Sequence, residues 1–334
     1  MAELVRKIAL LGMGTVGSGV YHIIEKQKEE MPFKVGAELK VLHIDDNGEW
    51  KMEELDELLD ERVKIVAAAH ISNVLGIINP VKQIIDKCHL KGIPVLVDGA
   101  QGVVHSKVDV QDLDCDFYVF SGHKLYAATG TGVLYGKRKW LEQMPPFMGG
   151  GEMVGTVTFA ETTYAPLPMK FEAGTQNFAS AATLKPAIEF AKTLSNNNLV
   201  TQNYASTATL KPAIEFINLL NDSELIEYSD KVRDYLLDVL TRDSRIRLFG
   251  VPRGTNEDKI PLFSFSVMGA HHEDLALILD KMGIAVRSGQ MCAEPLMDRF
   301  GVTGMLRVSV APYNTIEEAE YFVKCLDRAI GMLM

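Results

Sequence analysis

The sequence predicts an α/β protein with a large domain built on a mostly parallel sheet and a smaller α+β domain at its C-terminal end. Short apolar strands alternate with helical segments from residue 6 to residue 121, a pattern that favours a parallel sheet covered by helices. Further helices and strands follow from residue 227. The length of 334 residues is enough for about two domains.

The large domain begins with a strand, a glycine loop and a helix. The apolar run at 8–11 precedes the glycines of 12–17, and a helix is expected to follow. Beyond it, strands are predicted at 39–44, 63–67, 94–98 and 117–120, with helices at 53–59 and 81–88. Since parallel strands end at one edge of a sheet, the functional site is expected at their carboxyl ends.

The small domain is predicted from residue 227 onward. Its elements are a helix at 228–240, a strand at 262–267, a helix at 272–282, strands at 284–287 and 306–310, and a terminal helix.

A tandem repeat interrupts the order of elements. The segment at 175–190, which begins TQNFAS, recurs at 201–216, which begins TQNYAS. Arrays of stacked repeats need three or more copies, so two copies indicate a local duplication of 175–200 as 201–226. We expect the copy at Thr175 to take the functional place. The expected divisions of the chain are an N-terminal segment at 1–32, the large domain at 33–226 and the small domain at 227–334.

Composition narrows the class of partner. Asp and Glu number 44 against 34 Lys and Arg, for a formal charge of −10, which is the wrong sign for binding nucleic acid or an anionic membrane. No apolar run reaches the ~18 residues that a membrane span needs, and the N-terminal run has no signal-peptide cleavage site. The four cysteines are not closely paired, which is typical of a reducing compartment, so a cytoplasmic protein is expected.

Polar residues concentrate at two predicted strand ends. Asp98 and Gln101 follow one strand, and Ser121, His123 and Lys124 follow the next. A lysine in such a pocket can form a Schiff base, and a carboxylate can keep a pyridine nitrogen protonated, which is the pairing that pyridoxal phosphate (PLP) requires. The alternative is an ordinary surface lysine beside a capping serine.

These residues lie in motifs that resemble a known family. VLVDGAQ, FSGHKLY, FEAGTQN and RSGQMCAEPLM occur in the order found in cysteine desulfurases of the SUF type, within the class V aminotransferase superfamily. The resemblance extends from about residue 33 to the C-terminus. It implies the PLP-dependent transferase fold type I, conversion of L-cysteine to L-alanine for iron–sulfur cluster assembly, a homodimer, and a sulfur-acceptor protein of the SUF system.

The resemblance also implies roles for individual residues. Those expected to bind PLP are Lys124 as the Schiff-base lysine, Asp98 at the pyridinium nitrogen, Gln101 at the ring hydroxyl, Ser121 and His123 at the phosphate, Asn73 near the ring and the substrate, and Thr175 at the phosphate of the neighbouring subunit. Arg307 is expected to bind the substrate carboxylate, a task suited to a guanidinium group, and Arg287 to line the same pocket.

Cys292 takes the position of the nucleophile, which would receive the substrate sulfur as a persulfide. This role requires an accessible, reactive thiol, and Arg287 is the expected neighbour that favours the thiolate. The other cysteines, Cys88, Cys115 and Cys325, are interpreted as inert structural thiols. The pair His271–His272 has no third ligand at metal spacing, so no metal site is predicted and a helix-start or surface role is expected.

The N-terminal segment departs from the family. The family's Gly-Thr-Thr phosphate loop and ring-stacking His are missing, and RKIALLGMGTVGSG instead resembles the NAD(P)-binding start of homoserine dehydrogenase. In one interpretation the segment adds at most a strand and a helix to a truncated desulfurase. In the other, its glycine loop replaces the lost phosphate loop, and Tyr21 or His22 falls near the position of the stacking His.

The sequence leaves open three alternatives to a working desulfurase. The first is a catalytically inactive scaffold for dimerisation or acceptor binding. The second is a selenocysteine lyase, because selenium can follow the same path as sulfur. The third is an NAD(P)-binding dehydrogenase fragment.

Overall fold

A six-stranded sheet forms the large domain in the computed structural model, which describes residues 6–11, 37–106, 108–195, 222–252, 254–311 and 314–334. Neighbouring strands in the order β2-β1-β3-β4-β5 are parallel, and β6 pairs antiparallel with β5. The prediction of a mostly parallel sheet is therefore confirmed. The strands are β1 (Arg6–Leu11), β2 (Ala37–Val41), β3 (Val63–Ala69), β4 (Val95–Asp98), β5 (Phe117–Ser121) and β6 (Gly132–Gly136).

Helices connect these strands and bury an apolar face against the sheet. In α2 the buried residues Val81, Ile84, Ile85 and Cys88 recur at helical spacing and pack in one core with strand residues such as Val66 and Val95. The helices of this region are α1 (Leu55–Leu58), α2 (Val81–Leu90), α3 (Gly102–His105), α4 (Val110–Leu113) and α5 (Arg138–Gln143).

The N-terminal strand β1 lies inside the sheet, between β2 and β3. Ile8 is opposite Leu39 on one side and Ile65 on the other. The predicted strand is thus confirmed, and it contributes to the sheet that carries the rest of the domain. The glycine loop at 12–17, its helix, Tyr21 and His22 lie outside the described residues, so the replacement of the phosphate loop stays a prediction.

An exposed hairpin and two helices follow the large sheet. The hairpin consists of β7 (Val154–Val157) and β8 (Thr162–Tyr164), and the helices are α6 (Phe178–Ala182) and α7 (Leu184–Ser195). The first copy of the repeat forms α6 and the described part of α7. The second copy, from residue 201 to residue 221, lies outside the described residues.

The C-terminal part contains an antiparallel sheet in the order β11-β12-β10-β9, packed against long helices. Its core includes Phe263 and Phe265 of the sheet with Leu236, Leu279 and Phe322 of the helices. The elements are α8 (Asp222–Arg242), β9 (Ile246–Phe249), β10 (Leu262–Val267), α9 (His272–Lys281), β11 (Arg287–Gly289), α10 (Glu294–Phe300), β12 (Met305–Ser309) and α11 (Ile316–Leu333).

One strand of this part was wrongly placed by the sequence. The apolar residues at 284–287 predict a strand there, but β11 begins only at Arg287, which pairs with Arg307 of β12. Ile284 instead donates its amide to Leu279 O at 3.0 Å and closes the end of α9, after Gly283 at φ +81°. Its side chain and that of Val286 pack on the domain core. The apolar residues at 284 and 286 therefore reflect burial of their side chains and not pairing in a sheet.

A loop at 71–78, here called the interdomain loop, joins the two parts of the fold. Ile71 bridges Ile78 within the loop, and Ile77 bridges Lys259 just before β10. Val74 and Leu75 are buried in a core with Phe249, Met291 and residues of α10. The loop therefore connects the end of β3 directly to the C-terminal sheet.

Among the described helices, none combines the length and the apolar character needed to cross a bilayer.

The stability of this connection is expected to depend on pH through Lys259. This lysine is 1% exposed, donates to Leu75 O and lies 5.4 Å from the centre of the Phe263 ring. Burial lowers its pKa to about 7, against about 10.4 for an unfolded lysine. Between these values the unfolded chain binds the proton and the folded chain does not, so the free energy of unfolding rises with pH.

A Lys259→Met variant provides the comparison, because it keeps the apolar stem and removes the titrating group. The free energy of unfolding of the wild type, minus that of the variant, should rise by up to about 1.4 kcal/mol per pH unit between roughly pH 7 and pH 10. Urea unfolding at several pH values measures this difference. A difference that stays constant over the range contradicts the expectation.

Candidate active site

Two neighbouring parallel strands bring the predicted cofactor residues to one edge of the sheet. Asp98 is the last residue of β4 and lies opposite Val119 of β5. Ser121 ends β5, and Lys124 lies in the short 3-10 turn that follows directly. The carboxylate, the hydroxyl and the amine therefore share the edge at which the sequence predicts the site, and all three residues are half-buried.

Asp98 is held in place by backbone donors on both sides. Its Oδ1 accepts a hydrogen bond from Ala100 N at 3.0 Å, and its carbonyl accepts one from His70 N at 2.8 Å. The second bond joins the end of β4 to the end of β3, where the interdomain loop begins. The carboxylate thus has a fixed direction relative to that loop.

A His–Tyr pair lies beneath this edge. Tyr118 is 2% exposed, and its Oη lies 3.0 Å from His70 Nδ1. Burial lowers the pKa of His70 and raises the pKa of Tyr118, so both groups are held neutral. Sequence reasoning assigned no role to either residue; the position of His70 at the end of a predicted strand was the available signal.

Gly99 leaves room for the Tyr118 ring. A Cβ at residue 99 would lie 1.9 Å from Tyr118 Cε1, which is inside the ring's contact surface. A Gly99→Ala substitution should therefore lower the free energy of unfolding by about 2–3 kcal/mol or more, because the ring is buried and has little room to move.

Gly149→Ala is the matched control for that substitution. A Cβ at residue 149 would meet no described heavy atom within 4 Å. Thermal or urea unfolding of both variants checks the expectation, which equal stabilities would refute.

The loop after Lys124 rests on the first copy of the repeat. Asn177 Nδ2 donates to Gly130 O at 3.1 Å, and Ala128 N donates to Thr183 Oγ1 at 2.9 Å. Thr175, two residues before Asn177, is exposed. The first copy therefore contacts the loop that follows Lys124, and the functional place expected for Thr175 stays a prediction.

The remaining predicted cofactor residues flank the same edge. Gln101 precedes α3, and its carbonyl accepts the amides of Val104 and His105 at 3.2 Å. His123 lies in the turn next to Lys124 with an exposed side chain.

Cys292 lies on the loop between β11 and α10, and its thiol is exposed. Arg287 Nη2 donates to Cys292 Sγ at 3.5 Å. Cys88 and Cys115 are fully buried, and burial raises their pKa values to about 12 and about 11. Cys325 is also buried, so Cys292 is the accessible thiol of the four, as expected.

Arg307 lies next to Arg287 across the C-terminal sheet. The two residues are paired in register, and Arg307 Nη1 donates to Asn73 O at 2.9 Å. Burial and the charge of Arg287 lower the pKa of Arg307, and Cys292 opposes this shift. Arg307 Nε is buried and has no hydrogen-bond partner among the described residues. Two adjacent guanidinium groups with unused donor capacity suit a carboxylate ligand.

Asn73 connects this arginine pair to the cysteine loop. It is 9% exposed, and its Nδ2 donates to Met291 O at 3.1 Å. Asn73 follows His70 by three residues, so a short segment joins the Asp98 edge to the residue before Cys292. The structure thus gathers Asn73, Arg287, Cys292 and Arg307, and links them to the edge that carries Asp98 and Lys124.

A structural role predicted outside the site is also confirmed. His271 is the N-terminal capping residue of α9, and its Nδ1 accepts a hydrogen bond from Glu273 N at 3.3 Å. Of the two roles expected from the sequence, helix start or surface, this is the helix-start role.

The turn that carries Lys124, the carboxylate of Asp98 at a strand end and the C-terminal antiparallel sheet agree with the family comparison. The chain matches the family described as aminotransferase class-V over residues 27–199 and 197–322, and it belongs to that family. The two matched ranges meet next to residues 200 and 201, where the two copies of the repeat join.

Its curated relatives include cysteine desulfurases. The enzyme of Escherichia coli O127:H6 is 41% identical over 302 residues, which is 90% of this chain and 66% of the relative. A probable cysteine desulfurase of Vibrio cholerae is 40% identical over 300 residues, 90% of this chain and 67% of that protein. The chain thus spans about two thirds of the length of these relatives.

Solved structures with the same fold carry similar descriptions. The cysteine desulfurase CsdA from Escherichia coli, in an S-sulfonic acid form, superposes with a TM-score of 0.80 at 35% identity and covers 98% of this chain and 73% of its own. The apo cysteine desulfurase of Thermococcus onnurineus NA1 gives 0.78 at 27% identity with the same coverage.

Proposed function

We propose that the protein is a PLP-dependent cysteine desulfurase that converts L-cysteine to L-alanine and takes up the sulfur as a persulfide on Cys292. The observation that carries this proposal is the exposed Cys292 thiol, 3.5 Å from Arg287 Nη2, on a loop joined by Asn73 to the edge that carries Asp98 and Lys124.

The donor set at that edge fits PLP chemically. Lys124 supplies an amine that can bind the aldehyde carbon, and Asp98 a carboxylate that can pair with a protonated ring nitrogen. Gln101 is the proposed partner of the ring hydroxyl, and Ser121 and His123 are those of the phosphate. When bound, the cofactor withdraws electrons from the substrate Cα and thereby activates the bond to sulfur.

The residues of the chain have separable tasks in the reaction. The Arg307 guanidinium binds the substrate carboxylate. The adjacent Arg287 adds a second positive charge to the same pocket. Asn73 lies between the substrate and the cysteine loop. With its amine free, Lys124 Nζ would be the base that moves the Cα proton.

Cys292 completes the transfer. Its thiolate attacks the substrate sulfur, an S–S bond forms at Sγ, and the substrate C–S bond breaks. The electron pair of the broken bond stays with the substrate carbon skeleton, which then takes up a proton and leaves as L-alanine. The sulfur on Cys292 is passed to an acceptor protein of the SUF system for iron–sulfur cluster assembly.

A homodimer is part of this proposal. Thr175 is exposed and is assigned to the phosphate site of the partner subunit. Large apolar side chains of the same region support a face that a partner subunit covers. Phe147 and Phe178 are 91% and 72% exposed, and Phe159 is fully exposed. The free cysteines fit the reducing conditions of the cytoplasm, where we place the protein.

The test adds PLP to the purified chain, reduces the mixture with borohydride and maps the modified peptide. A pyridoxyl group on Lys124, together with alanine formed from cysteine, supports the proposal. An adduct without turnover points to an inactive scaffold, and faster release of alanine from selenocysteine points to a selenocysteine lyase. Absence of both adduct and turnover refutes the assignment.

A further inference from the structure

Three successive carbonyls of the interdomain loop are each bonded by a side chain of the C-terminal sheet region. Arg307 Nη1 donates to Asn73 O at 2.9 Å, Ser264 Oγ donates to Val74 O at 2.6 Å, and Lys259 Nζ donates to Leu75 O. Arg307 belongs to the site already described. Ser264 and Lys259 have no role in the proposed chemistry, and neither was singled out from the sequence.

The bond from Ser264 is the most enclosed of the three. Both Ser264 and Val74 are 0% exposed, so water cannot replace the hydroxyl if it is removed. A buried carbonyl that loses its donor carries the full desolvation penalty, and the loop must move to relieve it. Ser264 therefore fixes the loop at a point one residue from Asn73.

Ser264 is also in line with the residues around Cys292. In the strand register, Arg287 of β11 lies opposite Arg307 of β12, which lies opposite Ser264 of β10. Arg287 contacts Cys292 Sγ at one end of this row, and Ser264 holds the loop at the other. The interdomain loop connects the Ser264 end of this row back to the cysteine loop, because Asn73 Nδ2 donates to Met291 O.

The cysteine loop depends on such support. Met291 and Cys292 have φ values of +55° and +59°, in the left-handed region that residues with a side chain seldom adopt. Two successive residues in this region persist only where surrounding contacts impose the conformation. The Asn73 bond to Met291 O is one such contact, and its position depends on the fixed loop.

We propose that Ser264 is a positioning residue for sulfur transfer: through Val74 and Asn73 it sets the conformation of the Met291–Cys292 pair and hence the place of the thiol. Its effect on turnover rests on the proposed function, but its effect on the Cys292 thiol does not.

The experiment measures alkylation of Cys292 by iodoacetamide in the PLP-free protein, followed by mass spectrometry of the cysteine peptides. Ser264→Ala removes the hydroxyl, Ser264→Thr keeps it while adding a buried methyl group, and Ser266→Ala makes the same change two residues along β10. Thermal unfolding of each variant separates loss of stability from loss of positioning. Cysteine turnover with PLP is then measured on the same proteins.

Ser264→Ala should change the alkylation rate several-fold and lower kcat by about tenfold, whereas Ser264→Thr and Ser266→Ala should behave like the wild type. If the rates follow the melting temperature rather than the presence of the hydroxyl, or if Ser264→Ala reacts like the wild type, the proposal is wrong. If Ser264→Ala does not fold, Lys259→Met takes its place, because it removes the donor to the next carbonyl of the loop, Leu75 O. A several-fold change in the alkylation of Cys292 in that variant supports the proposal, and an unchanged rate refutes it.

The two proposals fail separately. An altered alkylation rate in Ser264→Ala, with no cysteine turnover even in the wild type, upholds the positioning and refutes the desulfurase. Wild-type turnover and a wild-type alkylation rate in Ser264→Ala uphold the desulfurase and refute the positioning role.

Discussion

Replacing Cys292 with alanine should reduce sulfur release from cysteine by about 10³-fold or more while leaving the binding of PLP unchanged. The expected loss is large because Cys292 is the exposed thiol among the four cysteines, all of which lie in the described residues, and the proposed transfer needs a thiolate to attack the substrate sulfur. Asp98 and Lys124, which are proposed to bind PLP, lie at the end of β4 and in the turn after β5, away from this loop in sequence. Sulfide and alanine production measure the loss, and the visible spectrum measures cofactor binding.

The buried cysteines provide an internal control for this prediction. Cys88, Cys115 and Cys325 should stay unmodified when the native wild type is treated with cysteine and a thiol-reactive label. Wild-type rates in Cys292→Ala, or label on a buried cysteine in place of Cys292, would remove Cys292 from the mechanism.

Replacing Lys124 with alanine should abolish the covalent attachment of PLP and lower turnover by about 10³-fold or more. Lys124 lies in the turn that follows β5, so its amine shares an edge with Asp98, and it is proposed both as the attachment point and as the base at the substrate Cα. Borohydride reduction followed by peptide mapping measures attachment, and alanine formation measures turnover.

Lys139→Ala is the matched control. Lys139 is exposed and lies 5.0 Å from the centre of the Trp140 ring, at the start of α5. The variant should retain the adduct and the activity of the wild type. A pyridoxyl group that moves to another lysine with full activity in Lys124→Ala would contradict the role given to Lys124.

Local patterns in the sequence were sufficient for most elements and for the strand-end residues. Period-two and helical patterns gave β3, β4, β5, β10 and α2 with small errors at their ends, because each buries an apolar face that the pattern records. The sheet edge that carries the candidate site followed from topology, since Asp98 and Ser121 end neighbouring parallel strands. The individual roles there came from resemblance to a family, and they stay predictions.

Contacts between distant parts of the chain could not be predicted in the same way. The bond between Ser264 and Val74 spans 190 residues, and that between Asn73 and Met291 spans 218. Neither leaves a local pattern, because a buried serine in a strand reads as one polar interruption of an apolar run. The insertion of β1 between β2 and β3 is likewise a matter of strand order, which the periodicity of a single strand does not encode.

The mass of the Cys292 peptide, after the PLP-loaded protein has been incubated with L-cysteine and quickly blocked, tests the central claim most directly. The account predicts that this peptide gains one sulfur atom, that dithiothreitol removes it, and that L-alanine appears in equal amount. Alanine formed without added sulfur on Cys292, or an unchanged peptide with no alanine, would contradict it.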